Sequence, residues 1–139
     1  MSMIIEMLRK HESVETHAYK CSANKTTIGV GRNIDKNGGI GLSNSEIDFL
    51  LANDIERVEA ELLAAFSWYA ALNDPRKDAM MDICFNMGLP RLRKFKKALA
   101  GMSASNYETA AAEFLDSKWA KQVGQRAITI TDIIRSGEY

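Results

Sequence analysis

The chain has 139 residues, of which 46% are hydrophobic and 26% charged, with 18 Lys/Arg against 18 Asp/Glu and no net charge. That is an ordinary globular composition, long enough to bury about two-thirds of its extended surface without staples. It excludes a disordered or strongly polybasic chain, and no apolar run approaches the ~20 residues of a membrane helix.

Residues 3–12 read as a helix. Ile4, Met7, Leu8 and His11 follow helical spacing, with Glu6, Arg9 and Lys10 on the other face. Glu6 inside the apolar stretch and the lack of a small-residue cleavage site argue against a secretory signal. Glu12 falls at the helix end, where the macrodipole works against a negative charge. By position alone it is an ordinary surface glutamate; in a site it suits a general acid.

Residues 13–43 change character. Thr26-Thr27-Ile28-Gly29-Val30 is β-prone, and Asn37-Gly38-Gly39 is a turn signal, so a hairpin or at most a three-stranded sheet is expected. Gly29-x-Gly31 lacks the third glycine and following helix of a nucleotide loop, and close backbone approach in a tight sheet explains it better.

Ser43-x-x-Glu46 is a capping box, with Leu42 and Ile47 as a possible staple. Ile47, Leu50, Leu51, Ile55, Val58, Leu62 and Phe66 then recur at steps of three and four, predicting a helix over 44–66 of roughly 33 Å. Beyond it, Asp74 before Pro75 predicts an N-cap, and Met80, Ile83 and Met87 line a helix that Gly88 can end. Pro90 is expected to open a short basic helix through Leu92, Phe95 and Leu99. Ser105-x-x-Glu108 predicts another capping box, and a last helix with Ile130, Ile133 and Ile134 stops before Gly137.

Cys21 and Cys84 read as free thiols in a reducing compartment; neither they nor His11 and His17 fall in a zinc pattern, and no metal or cofactor is expected. Cys21 alone reads as a small buried hydrophobe. Charge is unevenly spread: residues 1–69 carry seven Lys/Arg against ten Asp/Glu, and residues 70–139 eleven against eight. The cluster Arg91, Arg93, Lys94, Lys96 and Lys97 reads first as a solvated helix face and second as a contact for an anionic wall polymer. Phe95 is the only interleaved aromatic and sits at a core-like position, so nucleic acid ranks a distant third.

Glu12, Cys21 and Thr27 bring an acid, a polarisable nucleophile or base, and a hydroxyl onto three different local structures. Glu, eight residues, Asp or Cys, five residues, Thr resembles the catalytic signature of the T-even-type phage lysozymes, glycoside hydrolase family 24. The resemblance continues through MIIEMLRKHE, Ala18-Tyr19-Lys20, Thr27 to Gly31, Phe85-Asn86-Met87-Gly88, Lys118-Trp119 and Gln125-Arg126-Ala127, in the family's order over nearly the whole chain.

The resemblance implies a mainly helical α+β, lysozyme-like fold in one domain. Its parts are an N-terminal helix (1–12), a small β-lobe (13–43), a bridging helix (44–66) and a helical lobe (67–139). It implies a muramidase, in which Glu12 protonates the leaving oxygen, Thr27 holds a water and Arg126 contacts and tunes the glutamate. Cys21 departs from the usual aspartate: as a thiolate it could attack or electrostatically support the anomeric carbon, and as a thiol it could orient the water. Asn33 and Phe85 match saccharide-contact positions, Asn33 through its backbone. Two further contacts, a serine and an asparagine in the family, are Ala98 and Glu113 here. Asp54 matches an aspartate that pairs with a histidine, replaced here by Arg32, so an Arg32–Asp54 ion pair is expected. Trp119 is expected in the core.

The implied setting is a monomeric endolysin of a phage or prophage, acting on peptidoglycan after a holin has opened the membrane. It would wait in the host cytoplasm and reach the wall from the periplasm, without stable membrane insertion. A lytic transglycosylase and a catalytically impaired wall-binding protein are the alternatives.

Overall fold

The computed structural model describes all 139 residues. It has a mainly helical α+β, lysozyme-like fold of eight α-helices and one three-stranded antiparallel sheet. Two compact units divide it, Met1–Leu50 and Leu51–Tyr139.

The first unit opens with α1, Ile4–Glu12, none of whose residues is buried. Ser13 ends it with φ 64° and ψ 171°, a region that essentially only glycine occupies at ease. The chain turns there into β1, Glu15–Lys20, which the sequence did not announce. Polar and apolar residues do not alternate cleanly in ETHAYK, and the strand carries a bulge between Glu15 and Tyr19. β2, Thr26–Gly29, pairs with β1 through Tyr19 opposite Thr27, and with β3, Arg32–Asn33, through Thr27 opposite Asn33.

Thr27 is the sole buried residue of this unit. So small a sheet gains little from apolar burial and rests on its polar network. Asp35 anchors that network: its carboxylate accepts from the amides of Thr26 at 2.9 Å and Asn37 at 2.8 Å. These two amides hold the Asp35 carboxyl down at about 2.

The capping box at Ser43 forms in both directions. Glu46 accepts from the Ser43 amide at 2.8 Å, and the Ser43 hydroxyl accepts from the Glu46 amide at 3.2 Å. It starts α2, Asn44–Ala65. Glu46 also receives the Arg32 guanidinium at 2.6 Å, and Asp54 engages Arg57 at 3.5 Å. The pair expected from sequence, Arg32 with Asp54, spans the two units; within its own unit Arg32 takes Glu46, and Asp54 takes Arg57. The capping-box glutamate presents a preorganised carboxylate to Arg32, and Arg57 lies one helical turn beyond Asp54. Along α2 only Val58 and Leu62 are buried, whereas Ile47, Leu50, Leu51 and Ile55 stay exposed despite their periodicity.

The second unit holds the core. A 3₁₀ turn, Tyr69–Ala71, leads into α3, Asp74–Met87. Its N-cap is Asn73, whose side chain accepts from the Arg76 amide, so Asp74 and Pro75 fall within the first turn and Asp74 is not the cap. The expected basic helix splits into α4, Leu89–Leu92, and α5, Lys96–Ser103. α6, Tyr107–Leu115, is capped by Asn106, which accepts from Thr109; Ser105 adopts φ 56° instead of serving as the cap. α7, Lys118–Val123, and α8, Gln125–Ser136, complete the unit, and Gly137 in the left-handed conformation ends α8.

Met80, Ile83, Leu92, Met102, Phe114, Trp119 and Ile134 are almost fully buried. Each large side chain of this kind is worth about 1.5–3 kcal/mol of transfer free energy. Trp119 packs edge-on to Phe114 with ring centres 6.5 Å apart, and its Nε1 donates to Asn86 Oδ1 at 2.8 Å. Arg76 joins the start of α3 to the end of α8. It donates to the carbonyls of Ile134 at 2.7 Å and Arg135 at 3.2 Å, and lies 3.7 Å over the Tyr107 ring.

Candidate functional site

Cys21 stands at the first position of the turn between β1 and β2. Its amide donates to Lys25 O at 3.0 Å, and Asn24 N donates to Cys21 O at 2.8 Å with Asn24 at φ 59°. This tight turn aims the amides of Lys25 and Ala23 at the sulfur, and with the Thr27 hydroxyl they lower the thiol from its ordinary value. Cys21 is half-exposed, not the buried hydrophobe that its letter alone suggests.

Thr27 is buried on β2, and its hydroxyl donates to Lys25 O at 2.8 Å. One hydroxyl proton cannot serve both Lys25 O and the Cys21 sulfur. The Lys25 bond suits a neutral thiol, and a turn of the hydroxyl toward sulfur suits a thiolate. In either state the Thr27 oxygen keeps lone pairs that can accept from water.

Glu12 is the last residue of α1 and is exposed. Within its own unit its carboxylate makes no hydrogen bond or ion pair and rests against Gly31, in the turn joining β2 to β3. Cys21 and Thr27 are thus neighbours through their side chains, and Glu12 reaches the same small sheet at its β2–β3 turn.

Asn33 follows on β3. Its carbonyl accepts from Ile40 N at 2.9 Å and Gly41 N at 3.4 Å, and its Oδ1 accepts from Asp35 N at 3.0 Å. The Asn33 carbonyl is thus engaged within the first unit. The side-chain Nδ2 remains as a donor.

The other two expected site residues lie in the second unit. Phe85 on α3 is 45% exposed, so its ring is available to a ligand. With Arg126 it lines a hollow of about 230 Å³ completed by Leu51, Ile55, Met81 and Asp82. Arg126 donates to Asp82 Oδ1 from Nε at 2.8 Å and from its terminal nitrogen at 2.5 Å. The resemblance placed Arg126 beside Glu12 and did not name Asp82, whose meeting with Arg126 no spacing along the chain announces. Ala98 and Glu113 border a separate hollow of about 370 Å³, with Lys94, Phe95, Lys96, Lys97 and Asp116 around it. Cys84 is buried, and that burial pushes its thiol up.

No group of three or more His, Cys, Asp or Glu side chains converges as a metal site would require. No helix is long and apolar enough to cross a membrane.

Comparison with known proteins places the chain by family. A probable T4-type lysozyme 2 of Dictyostelium discoideum is 27% identical over 164 aligned residues, covering 99% of this chain and 96% of that protein. An endolysin of Acyrthosiphon pisum secondary endosymbiont phage 1 is 27% identical over 83% of this chain and 75% of its own length. The pre-baseplate central spike protein Gp5 of Enterobacteria phage T4 is 28% identical over 99% of this chain, which spans 28% of that larger protein. Residues 9–132 match the phage lysozyme family as a whole. With almost its whole length matched and the fold that the resemblance implies, the chain belongs to the phage lysozyme family and is, at that level, a glycosidase-type peptidoglycan hydrolase.

Proposed function

We propose that the protein hydrolyses the β-1,4 bond between N-acetylmuramic acid and N-acetylglucosamine, with Glu12, Cys21 and Thr27 as its catalytic residues. The observation that supports this most is the Glu12–Cys21–Thr27 register in a chain whose residues 9–132 match the phage lysozymes, with the Glu12 carboxylate resting against the turn of the small sheet that carries Thr27. An oxocarbenium-like transition state needs an anion or a held water on the face opposite the acid. The Thr27 hydroxyl can hold the water, and the Cys21 turn, which lowers the thiol, favours sulfur as the acceptor of its proton.

In this mechanism Glu12 gives its proton to the glycosidic oxygen as the C1–O bond breaks. A water held by the Thr27 hydroxyl forms the new bond to C1, and its proton passes to the Cys21 thiolate. Solvent then returns a proton to Glu12 and removes one from Cys21, and the anomeric configuration is inverted. Asn33, through Nδ2, and Phe85, through its exposed ring, are proposed saccharide contacts; Arg126, held by Asp82, is a supporting cation. The biological setting is lysis of a bacterial host by a monomeric endolysin of a phage or prophage that depends on a separate holin.

Mass spectrometry of a peptidoglycan digest separates this reading from its nearest rival. Hydrolysis leaves reducing N-acetylmuramic acid ends. A lytic transglycosylase leaves anhydro ends lighter by one water, and that product would replace the hydrolase reading. Binding without any soluble product would make the chain a wall-binding protein.

A further inference from the structure

We infer that Gly31 is a positioning residue for the Glu12 carboxylate: the absence of a side chain at Gly31 is the seat in which the acid rests. This depends on Glu12 being the general acid, as proposed above.

Nothing polar in its own unit fixes Glu12. Its carboxylate, at the exposed end of a nine-residue helix, has no hydrogen-bond or ion-pair partner there. What it touches is the backbone of Gly31. A Cβ built on Gly31 would lie 2.6 Å from Glu12 Oε2, 3.0 Å from Cδ and 3.2 Å from Cβ. Three atoms along the glutamate therefore lie over one bare Cα. Non-bonded heavy atoms prefer roughly 3.5 Å, so any side chain at Gly31 drives the carboxylate back by about 1 Å or into another rotamer. The atom that must yield is the free end of a flexible side chain, so the fold tolerates the change, but the acid loses its place. A misplacement of about 1 Å at a reacting group is enough to cost up to ~100-fold in rate.

The end of β2, two residues earlier, provides a control. Gly31 has φ +67° and Gly29 has φ +69°, so alanine at either pays the same left-handed backbone strain. A Cβ at Gly29 meets nothing within 4 Å. Whatever separates Gly31→Ala from Gly29→Ala comes from the contact with Glu12.

The experiment measures kcat, KM and the pH profile of kcat on soluble glycan fragments carrying stem peptides. Wild type is compared with Gly31→Ala, Gly29→Ala and Glu12→Gln, each checked by thermal melting. Gly31→Ala should lose ~10- to 100-fold in kcat with KM changed less than about twofold, and its pH profile should move. Gly29→Ala should melt at a similar temperature to Gly31→Ala but keep kcat within about threefold and the wild-type pH profile. Equal kcat losses in the two alanine variants, or an unchanged kcat in Gly31→Ala, would overturn the inference. If Gly31→Ala does not fold, Glu12→Asp beside Glu12→Asp/Gly31→Ala decides, because the shorter acid withdraws from the added methyl. Equal activity of those two supports the seat; a further loss of about tenfold or more in the double variant overturns it. Wild-type activity in Glu12→Gln would instead overturn the general-acid reading itself.

Discussion

Cys21 owes its chemistry to the turn it begins. Its letter offers a small hydrophobe or a thiol mostly protonated at neutral pH. Amides of Lys25 and Ala23 and the Thr27 hydroxyl then favour the thiolate. Cys84, the same residue type, is buried in the second unit with its thiol pushed the other way. Iodoacetamide should therefore label one thiol per molecule under native conditions, at Cys21, faster than a free cysteine peptide at pH 7, with loss of glycan cleavage in step. Peptide mapping checks the site; full activity after complete Cys21 labelling would remove the thiol from the mechanism. The Glu12–Cys21–Thr27 register behind the proposed site is linear in the chain, so spacing alone singles these residues out. The seat at Gly31 and the pairing of Arg126 with Asp82 were not legible there, because both depend on which side chains meet in space.

At the scale of the element, the first unit stands on polar contacts. Its strands bury only Thr27, and Asp35 and Glu46 tie its loops through backbone amides and Arg32. Both carboxyls are lowered to about 2, below their usual range. In the unfolded chain each takes up a proton nearer pH 4, so between about pH 4 and pH 2 the unfolded state binds more protons. Stability from these groups is full above about pH 4 and is lost as pH falls through about 2. Urea melts followed by amide exchange in residues 15–40 should show midpoints falling from pH 5 to pH 2.5, and the fall should be smaller in Asp35→Asn. An identical fall in the variant would assign the acid sensitivity elsewhere. Helices were readable wherever periodicity and caps agreed, as at Ser43 and Gly137. Two cap assignments slipped by one residue because Asn73 and Asn106 offered better-placed acceptors than Asp74 and Ser105. β1 escaped notice because a bulged, mostly exposed strand has no strong two-residue period.

At the scale of the whole molecule, family, fold and composition agree. A mainly helical chain with one small sheet matches the phage lysozymes over residues 9–132. The packed core lies in the second unit, where Trp119, Phe114 and Met80 are almost wholly shielded, while Glu12, Cys21 and Thr27 lie in the first. The sequence resemblance anticipated this fold because ordered motifs sample the whole chain. It did not anticipate the partner of Arg32, because the capping-box oxygen Glu46 Oε1 accepts both from the Ser43 amide and from the Arg32 guanidinium.

The account stands or falls on Glu12. The decisive measurement is release of reducing N-acetylmuramic acid ends from purified peptidoglycan by wild type and by Glu12→Gln, with circular dichroism and melting to show that both are folded. The account predicts release by wild type and a loss of ~10³-fold or more in the variant, the scale expected when the acid of a glycosidase is removed. Comparable release by a folded Glu12→Gln would contradict it and place the acid elsewhere in the molecule.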